Sequence, residues 1–155
     1  TVENVELERF LDPVREYLDD VVDELTAGRK RTHWMWFGFP QLRALGRSEM
    51  ARRYGLTDLD EARQFVVHAE LGSTYERLVA IVHDVVVRQG LLVHDVFGSP
   101  DDVKLVSSLT LFRAAAERGG RIELAQQCGE LLDEAERQGL PRCAVTSAIL
   151  GPPPG

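Results

Sequence analysis

The chain has 155 residues, of which 44% are hydrophobic and 28% charged, and its formal net charge at pH 7 is −7. This length and composition are typical of one globular domain that buries roughly 70% of its unfolded surface, and they exclude a disordered or fibrous protein. No apolar run approaches the ~20 residues of a membrane-spanning helix, and two cysteines are too few for a disulfide framework.

Apolar residues that recur at three- and four-residue steps predict an all-α fold, because this spacing places them on one face of a helix. The clearest helix start is SPDD, where Ser99 is predicted as the N-cap, Pro100 as the first residue and Asp101 as a first-turn acid. Thr57, with an acid three residues later, predicts a capping box. Helices are expected at about residues 10–25, 47–54, 57–67, 73–89, 100–117, 122–138 and 143–150.

No fixed-period repeat and no interdomain linker interrupts this pattern. We therefore expect residues 1–150 to form one compact domain of about six to eight helices, followed by a flexible proline-rich tail at residues 151–155. The N-terminal sequence TVENVELERF has acids where a secretory signal has cations, so a cytoplasmic protein is expected.

The charge is unevenly distributed, because residues 29–53 carry a net charge of +6 and the rest of the chain −13. The cations of this segment either pair with acids near the end of the first helix or are available to a small anion. Those acids are Asp19, Asp20, Asp23 and Glu24. Nucleic acid is not an expected partner, because the acidic body opposes binding to phosphates.

The sequence RKRTHWMWFGFPQL, residues 29–42, adds four large aromatic side chains to this positive charge. Such a density of rings predicts a packed loop in which some rings fill the core and some line a cavity. His33 is a candidate acid or base, because a neutral imidazole exchanges protons near neutral pH, although a single histidine is weak evidence for a site. The candidate ligand-binding residues of this segment are Arg29, Arg31, Trp34, Trp36, Phe37 and Gln41.

The second motif is FGSPDDVKLVSSLTLF, residues 97–112. On a helix, Lys104 lies within one turn of Ser107 and Ser108, so a cation and two hydroxyls can converge on one phosphate or oxyanion. Alternatively, the serines only allow another helix to approach closely. Asp101, one turn earlier, is a candidate to orient the lysine or to act as an acid or base. The candidates here are Asp101 and Lys104 as catalytic residues and Ser107, Ser108 and Thr110 as ligand-binding residues.

The sequence lacks the standard signatures of nucleophilic, phosphate-binding and zinc sites. His68, His83 and His94 do not have the spacing of metal ligands, and each is expected to be a surface or core residue. No metal and no cofactor are therefore predicted.

Three segments together resemble the bacterial domain-of-unknown-function family 1810. They are AGRKRTHWMWFGFPQLRALGRSEMARRYGL, LDEARQFVVHAELG and FGSPDDVKLVSSLTLF. The resemblance spans roughly residues 10–112 and implies a small, mainly α-helical, horseshoe-like single domain, but it implies no activity. The family pattern has proline where this chain has Ala69 after His68, and the segment from Leu132 onwards also differs.

The leading functional hypothesis is that the two motifs meet at a pocket for a small anionic, nucleotide-like ligand. If that ligand is a substrate, a hydrolase or N-glycosidase reaction is expected, with Asp101 or His33 as acid or base and with Lys104 and Arg31 holding charge. The alternative is a non-catalytic protein–protein interaction module that docks a protein partner through an exposed aromatic loop.

Overall fold

The computed structural model describes residues 5–151, and these residues form a single all-α domain with nine α-helices. The helices are α1 Leu11–Thr26, α2 Met35–Gly38, α3 Glu49–Arg53, α4 Leu59–Val67, α5 Ala69–His83, α6 Val93–Phe97, α7 Asp101–Arg118, α8 Ile122–Arg137 and α9 Ala144–Leu150. Turns of 3-10 helix at Val5–Phe10 and Arg43–Leu45 and a π-helical segment at Asp84–Arg88 are also described. The all-α prediction is confirmed, whereas residues 152–155 of the predicted tail lie outside the described residues.

Seven of these helices match predicted ones, and the two additional helices, α2 and α6, are only four and five residues long. A helix of one turn is too short to produce a periodic apolar pattern, so the sequence does not reveal it. This explains why the described count exceeds the expected six to eight.

The core is organised around α7, which packs against α8 on one side and α4 on another, while α1 packs on α5. Small residues of α7, among them Ala115 and Ala116, are completely buried where these neighbours approach. Phe112 of α7 stacks on Tyr75 with ring centroids 4.0 Å apart and meets Phe65 edge-on at 5.3 Å. Each such buried ring stabilises the fold by roughly 1.5–3 kcal/mol. Because Phe112 of α7 joins rings from α4 and α5, α7 is the central element of the domain.

The predicted start of α7 is wrong by one residue. The helix begins at Asp101, its N-cap is Pro100, and no side chain caps it, so Ser99 is not the N-cap. The first-turn amide of Val103 instead donates to Asp102 Oδ1 at 2.8 Å.

The predicted capping box of α4 is also displaced by one residue, to Asp58 as the N-cap. The Asp58 carboxylate accepts from the Glu61 amide, and Glu61 Oε1 in turn accepts from the Thr57 amide. Reciprocal bonds of this kind satisfy amides that have no partner within the helix. A capping arrangement is therefore present as predicted, but Asp58 and not Thr57 is its N-cap.

The helix predicted from residue 73 begins earlier, at Ala69, because His68 Nδ1 accepts from the amides of Glu70 and Leu71. Gly72, which falls in the gap between the predicted helices 57–67 and 73–89, therefore lies within the first turn of α5. A Cβ atom at this position would lie 2.0 Å from the carbonyl oxygen of Val66. Glycine is required here by the close approach of α5 to the end of α4, not by a helix end.

Candidate functional site

The two sequence motifs meet in space. Lys30 Nζ lies 2.8 Å from Asp101 Oδ2, and the Lys30 amide donates to the Val96 carbonyl at 2.7 Å. The rings of Trp34 and Phe97 also meet edge-on, with centroids 6.4 Å apart. The basic aromatic segment 29–42 is therefore packed against α6 and the start of α7.

A buried carboxylate, Glu24 of α1, organises the beginning of this segment. It accepts hydrogen bonds from the amides of Arg31 and Thr32 at 2.5 and 2.9 Å. The Thr32 hydroxyl donates to it at 2.6 Å, and Trp34 Nε1 donates at 3.1 Å. Four donors on one carboxylate fix the path of the chain as it leaves α1.

The same hydrogen bonds determine the protonation of Glu24. Burial raises the pKa of this carboxyl, but the hydrogen bonds from Thr32, from the backbone amides and from Trp34 outweigh that effect. The resulting pKa is about 2, against an ordinary value of 4.5. Glu24 is therefore ionised at neutral pH and is fully occupied as a structural acceptor.

The suggested pairing of the segment's cations with the acids of α1 is not present. Within residues 5–151, no ion pair joins the cations of residues 29–53 to Asp19, Asp20, Asp23 or Glu24. Lys30 is instead the cation that pairs, with Asp101 of α7. The six arginines of the segment are exposed, namely Arg29, Arg31, Arg43, Arg47, Arg52 and Arg53.

A small pocket lies where α2 and α3 approach α7. It combines Trp36 and Gln41 of the first motif with Lys104 of the second, and its volume is about 20 Å³. The rings of Trp36 and Tyr54 pack with centroids 4.5 Å apart and an interplanar angle of 39°. The full lining is Met35, Trp36, Phe39, Gln41, Ala51, Tyr54, Gly55 and Lys104. We call this the anion pocket below, after the ligand that we propose for it.

Backbone pairing holds the walls of the anion pocket in place. The chain segments around Leu42 and Leu56 form an isolated parallel bridge, in which the Leu56 amide donates to the Gln41 carbonyl at 2.9 Å. Gly55 allows this approach, because a Cβ atom there would lie 2.4 Å from Arg43 Cα. Gln41 and Tyr54 are thus positioned by the fold and not by a flexible loop.

Lys104 is the part of the second motif that faces the pocket. Its side chain is 44% exposed, and its Nζ lies 3.9 Å from Asp101 Oδ1. The shorter contact of Asp101 is to Lys30, whose side chain is almost completely buried. Asp101 therefore binds mainly Lys30, and the Lys104 ammonium remains accessible from solvent.

The serines of the second motif do not converge with Lys104. Ser108 is completely buried, and its hydroxyl bonds to the Tyr75 hydroxyl at 2.9 Å. Ser107 is buried and donates to Cys143 Sγ and to the Val103 carbonyl. The Thr110 hydroxyl donates to the Val106 carbonyl within its own helix. None of these three hydroxyls lines the anion pocket, because Ser107 and Ser108 face the core and the Thr110 hydroxyl is bonded within α7.

The other predicted site residues are dispersed. Trp34 and Phe37 are buried in the core, where Phe37 packs against Tyr17 with ring centroids 5.5 Å apart. Arg29, Arg31 and His33 are exposed and are not among the residues that line the anion pocket. Of the predicted candidates, the structure therefore brings together Trp36, Gln41 and Lys104.

Sequence reasoning missed Tyr54, the second ring of the anion pocket. Tyr54 follows Arg52 and Arg53, and the guanidinium of Arg53 lies 5.5 Å from its ring centroid. An aromatic residue next to a pair of arginines is a signal, but its link to Gln41 depends on the pairing of Leu42 with Leu56. That long-range pairing has no local sequence signature.

Residues 5–151 contain no group of three or more histidine, cysteine, aspartate or glutamate side chains that could hold a metal ion. Within the same range, no helix combines the length and the apolar composition that crossing a bilayer requires.

The fold defines a small all-α protein in which Trp36, Gln41 and Lys104 line one small pocket. The chain belongs to the family described as "Protein of unknown function (DUF1810)", whose model matches residues 4–134. It is similar to the crystal structure of the conserved hypothetical protein Rv1873 from Mycobacterium tuberculosis, with 41% identity and a TM-score of 0.77 over 87% of this chain and 90% of that chain. No curated protein matches it. The predicted family resemblance is confirmed.

Proposed function

We propose that the protein binds a small anionic, nucleotide-like ligand at the anion pocket. The observation that carries this proposal is that Lys104 of α7 and two residues of the basic aromatic segment, Trp36 and Gln41, line one pocket. An ammonium group and a side-chain amide together supply donors for a phosphate or carboxylate. The adjacent Trp36 and Tyr54 rings supply an apolar surface for a planar group.

The size of the pocket determines which part of the ligand enters it. A volume of about 20 Å³ accommodates one group of the size of a water molecule. An oxygen of the anionic group therefore fits inside, beside Lys104, and the planar part of the ligand lies across the mouth of the pocket. We expect the affinity to depend more on the anionic end than on the identity of the base.

The surrounding charge supports an anion as the ligand. The Arg53 guanidinium lies over the ring of Tyr54, which lines the pocket, and the whole segment 29–53 carries +6. The rest of the chain carries −13 and repels anions from other parts of the surface. A small anion is thus directed toward segment 29–53, where the positive charge of the sequence is concentrated.

The chemistry of the pocket supports binding more than turnover. No carboxylate or imidazole is among the described residues that line it. Asp101 is engaged by Lys30, and His33 lies elsewhere on the surface. We therefore do not extend the proposal to a hydrolase or N-glycosidase reaction. Burial of Trp34, Phe37 and Phe39 likewise gives little support to an exposed aromatic docking loop.

Thermal unfolding in the presence of ligands tests the proposal, because a ligand that binds only the folded state raises the midpoint. The panel is AMP, ADP-ribose, NAD, ribose 5-phosphate, inorganic phosphate and, as an uncharged control, adenosine. We expect saturable stabilisation by the phosphorylated compounds and none by adenosine.

The matched variants are Lys104→Met and Arg88→Met. Arg88 is an exposed cation of the π-helical segment Asp84–Arg88, where it pairs with Asp84, and it does not line the anion pocket. Lys104→Met should weaken binding by roughly tenfold or more, the value of a charge-assisted hydrogen bond, and Arg88→Met should leave it unchanged. Equal stabilisation of wild type and Lys104→Met, or no stabilisation by any anion, would refute the proposal.

A further inference from the structure

A second and larger groove lies on another part of the surface, beside the start of α6, the first turn of α7 and the turn that follows α8. Its volume is about 180 Å³, and it shares no lining residue with the anion pocket. It is lined by Leu92, His94, Asp102, Gln138, Gly139 and Leu140.

An oriented histidine provides the polar chemistry of this groove. His94 is exposed, but its Nδ1 lies 3.0 Å from Oδ2 of Asp102, a carboxylate that is almost completely buried. The other oxygen of Asp102 accepts from the Val103 amide at 2.8 Å. Both carboxylate oxygens are therefore occupied, and the imidazole ring is held by its Nδ1. Nε2 of His94 has no hydrogen-bond partner within residues 5–151.

The other polar side chain in the groove is already used by the fold. Oε1 of Gln138 accepts from the Val93 amide at 2.8 Å, and its Nε2 donates to the Leu91 carbonyl and to Glu134. Gln138 thus ties the end of α8 to the start of α6 and has little capacity left for a ligand. His94 lines the groove together with the apolar residues Leu92 and Leu140, and Nε2 is its ring nitrogen that is left to bond a polar group of a ligand.

The donor and acceptor properties of His94 select the ligand. With the Nδ1 proton directed at Asp102, Nε2 is an acceptor in the neutral ring and a donor in the charged ring. A carboxylate can bond only the charged form, and an ammonium only the neutral form, whereas a hydroxyl can bond both. We propose that this groove binds a small uncharged molecule that carries a hydroxyl group on a short aliphatic body.

Nuclear magnetic resonance of the full chain, with labelled histidine rings, tests this inference with three probes of equal length, 1-propanol, propionate and propylamine. We expect 1-propanol to shift the His94 ring signals saturably and to require at least fivefold lower concentrations than propionate or propylamine. His33 is the internal control, because it is an exposed histidine that lines none of the described pockets, and its signals should not move.

Two variants distinguish the contribution of the His94 ring from that of the apolar side chains that line the groove. His94→Gln assigns the signals, and Leu92→Asp, at a half-exposed position, places a charge in the apolar wall of the groove. We expect Leu92→Asp to abolish the saturable shift by 1-propanol. Parallel shifts at His94 and His33, tighter binding of propionate than of 1-propanol, or unchanged binding in Leu92→Asp would overturn the inference.

Discussion

Glu24 illustrates how a single side chain can hold a functional segment in place. The sequence suggested that this acid pairs with cations. Its carboxylate instead accepts hydrogen bonds from two backbone amides, one hydroxyl and one indole N–H. A carboxylate with several donors is stabilised in its ionised form even when it is buried. The segment that carries Trp36 and Gln41 therefore begins at a rigid point.

Replacing Glu24 by glutamine should destabilise the protein by about 3 kcal/mol at pH 7, because the neutral amide cannot accept from all four donors. The pKa of Glu24 is lower in the folded state than in the unfolded state. Its stabilisation is therefore fully present above about pH 4.5 and is lost as the pH falls toward about 2. Urea unfolding of wild type and Glu24→Gln at pH 7 and pH 3 should show a smaller difference at pH 3. An equal difference at both values would contradict the assigned role.

Ser108 should act on stability and not on ligand binding. Ser108→Ala removes the partner of the Tyr75 hydroxyl in the core and should cost about 1–3 kcal/mol in urea unfolding. Removing both hydroxyls in Ser108→Ala with Tyr75→Phe should recover part of this loss, because no unpaired group is then buried. If Ser108→Ala instead weakened anion binding at unchanged stability, the hydroxyl would belong to the site as the sequence first suggested.

For single residues, the sequence identified which side chains carry suitable chemistry better than it identified the direction in which each side chain points. Lys104, Trp36 and Gln41 were predicted as site residues and do line one pocket. Ser107 and Ser108 follow Lys104 at helical spacing, yet they face the core, because α7 is covered on several sides by its neighbours. The faces of a central helix depend on which elements surround it, and that information is not local.

At the scale of elements, the ion pair of Lys30 with Asp101 joins the basic aromatic segment to α7. The Lys30 side chain is 6% exposed, and its Nζ also donates to the Thr32 carbonyl and lies 5.1 Å from the centroid of the Trp34 ring. Breaking a buried pair leaves a charge without compensation and costs more than breaking an exposed one.

Lys30→Met should therefore lower the free energy of unfolding by about 2 kcal/mol or more. Arg88→Met, in an exposed pair whose arginine is 76% exposed, should change it by less than about 0.5 kcal/mol. Chemical denaturation of the two variants under the same conditions provides the comparison. Similar small losses in both would show that the pair does not hold the segment on α7.

A substitution at Gly72 tests the packing of α4 against α5. Gly72→Ala would place a Cβ atom 2.0 Å from a backbone carbonyl, so we expect a loss of at least about 3 kcal/mol. Gly129→Ala in α8 is the control, because its nearest neighbour is the flexible guanidinium of Arg113 at 3.2 Å and alanine favours helix. That variant should stay within about 1 kcal/mol of wild type. Comparable losses in the two variants would contradict the close approach.

Helices with a long apolar periodicity were predictable, and their ends were less so. The start of α5 was missed because His68 caps it through a ring nitrogen, a use of histidine that no simple capping rule contains. The single turns α2 and α6 were missed because they are shorter than any periodic pattern. These short elements, however, carry or flank the residues of both pockets.

At the scale of the whole molecule, the sequence showed a positive segment in an acidic chain but not what that segment touches. The contact between Lys30 and Asp101 joins residues that are far apart in the chain, as does the bridge between Leu42 and Leu56. Such contacts follow from how nine helices pack together among the described residues. The anion pocket is therefore a property of the assembled fold, although most of its chemistry was readable in two motifs.

A fluorescence titration with AMP reports on the anion pocket itself, because the two tryptophans differ in their exposure to solvent. Trp34 is completely buried, whereas Trp36 is half-buried and lines the anion pocket. The proposal predicts a saturable change in tryptophan emission that is absent in Trp36→Phe and requires roughly tenfold more AMP in Lys104→Met. An emission that AMP leaves unchanged, or a titration curve that is the same in wild type and Lys104→Met, would contradict an anion site at this pocket.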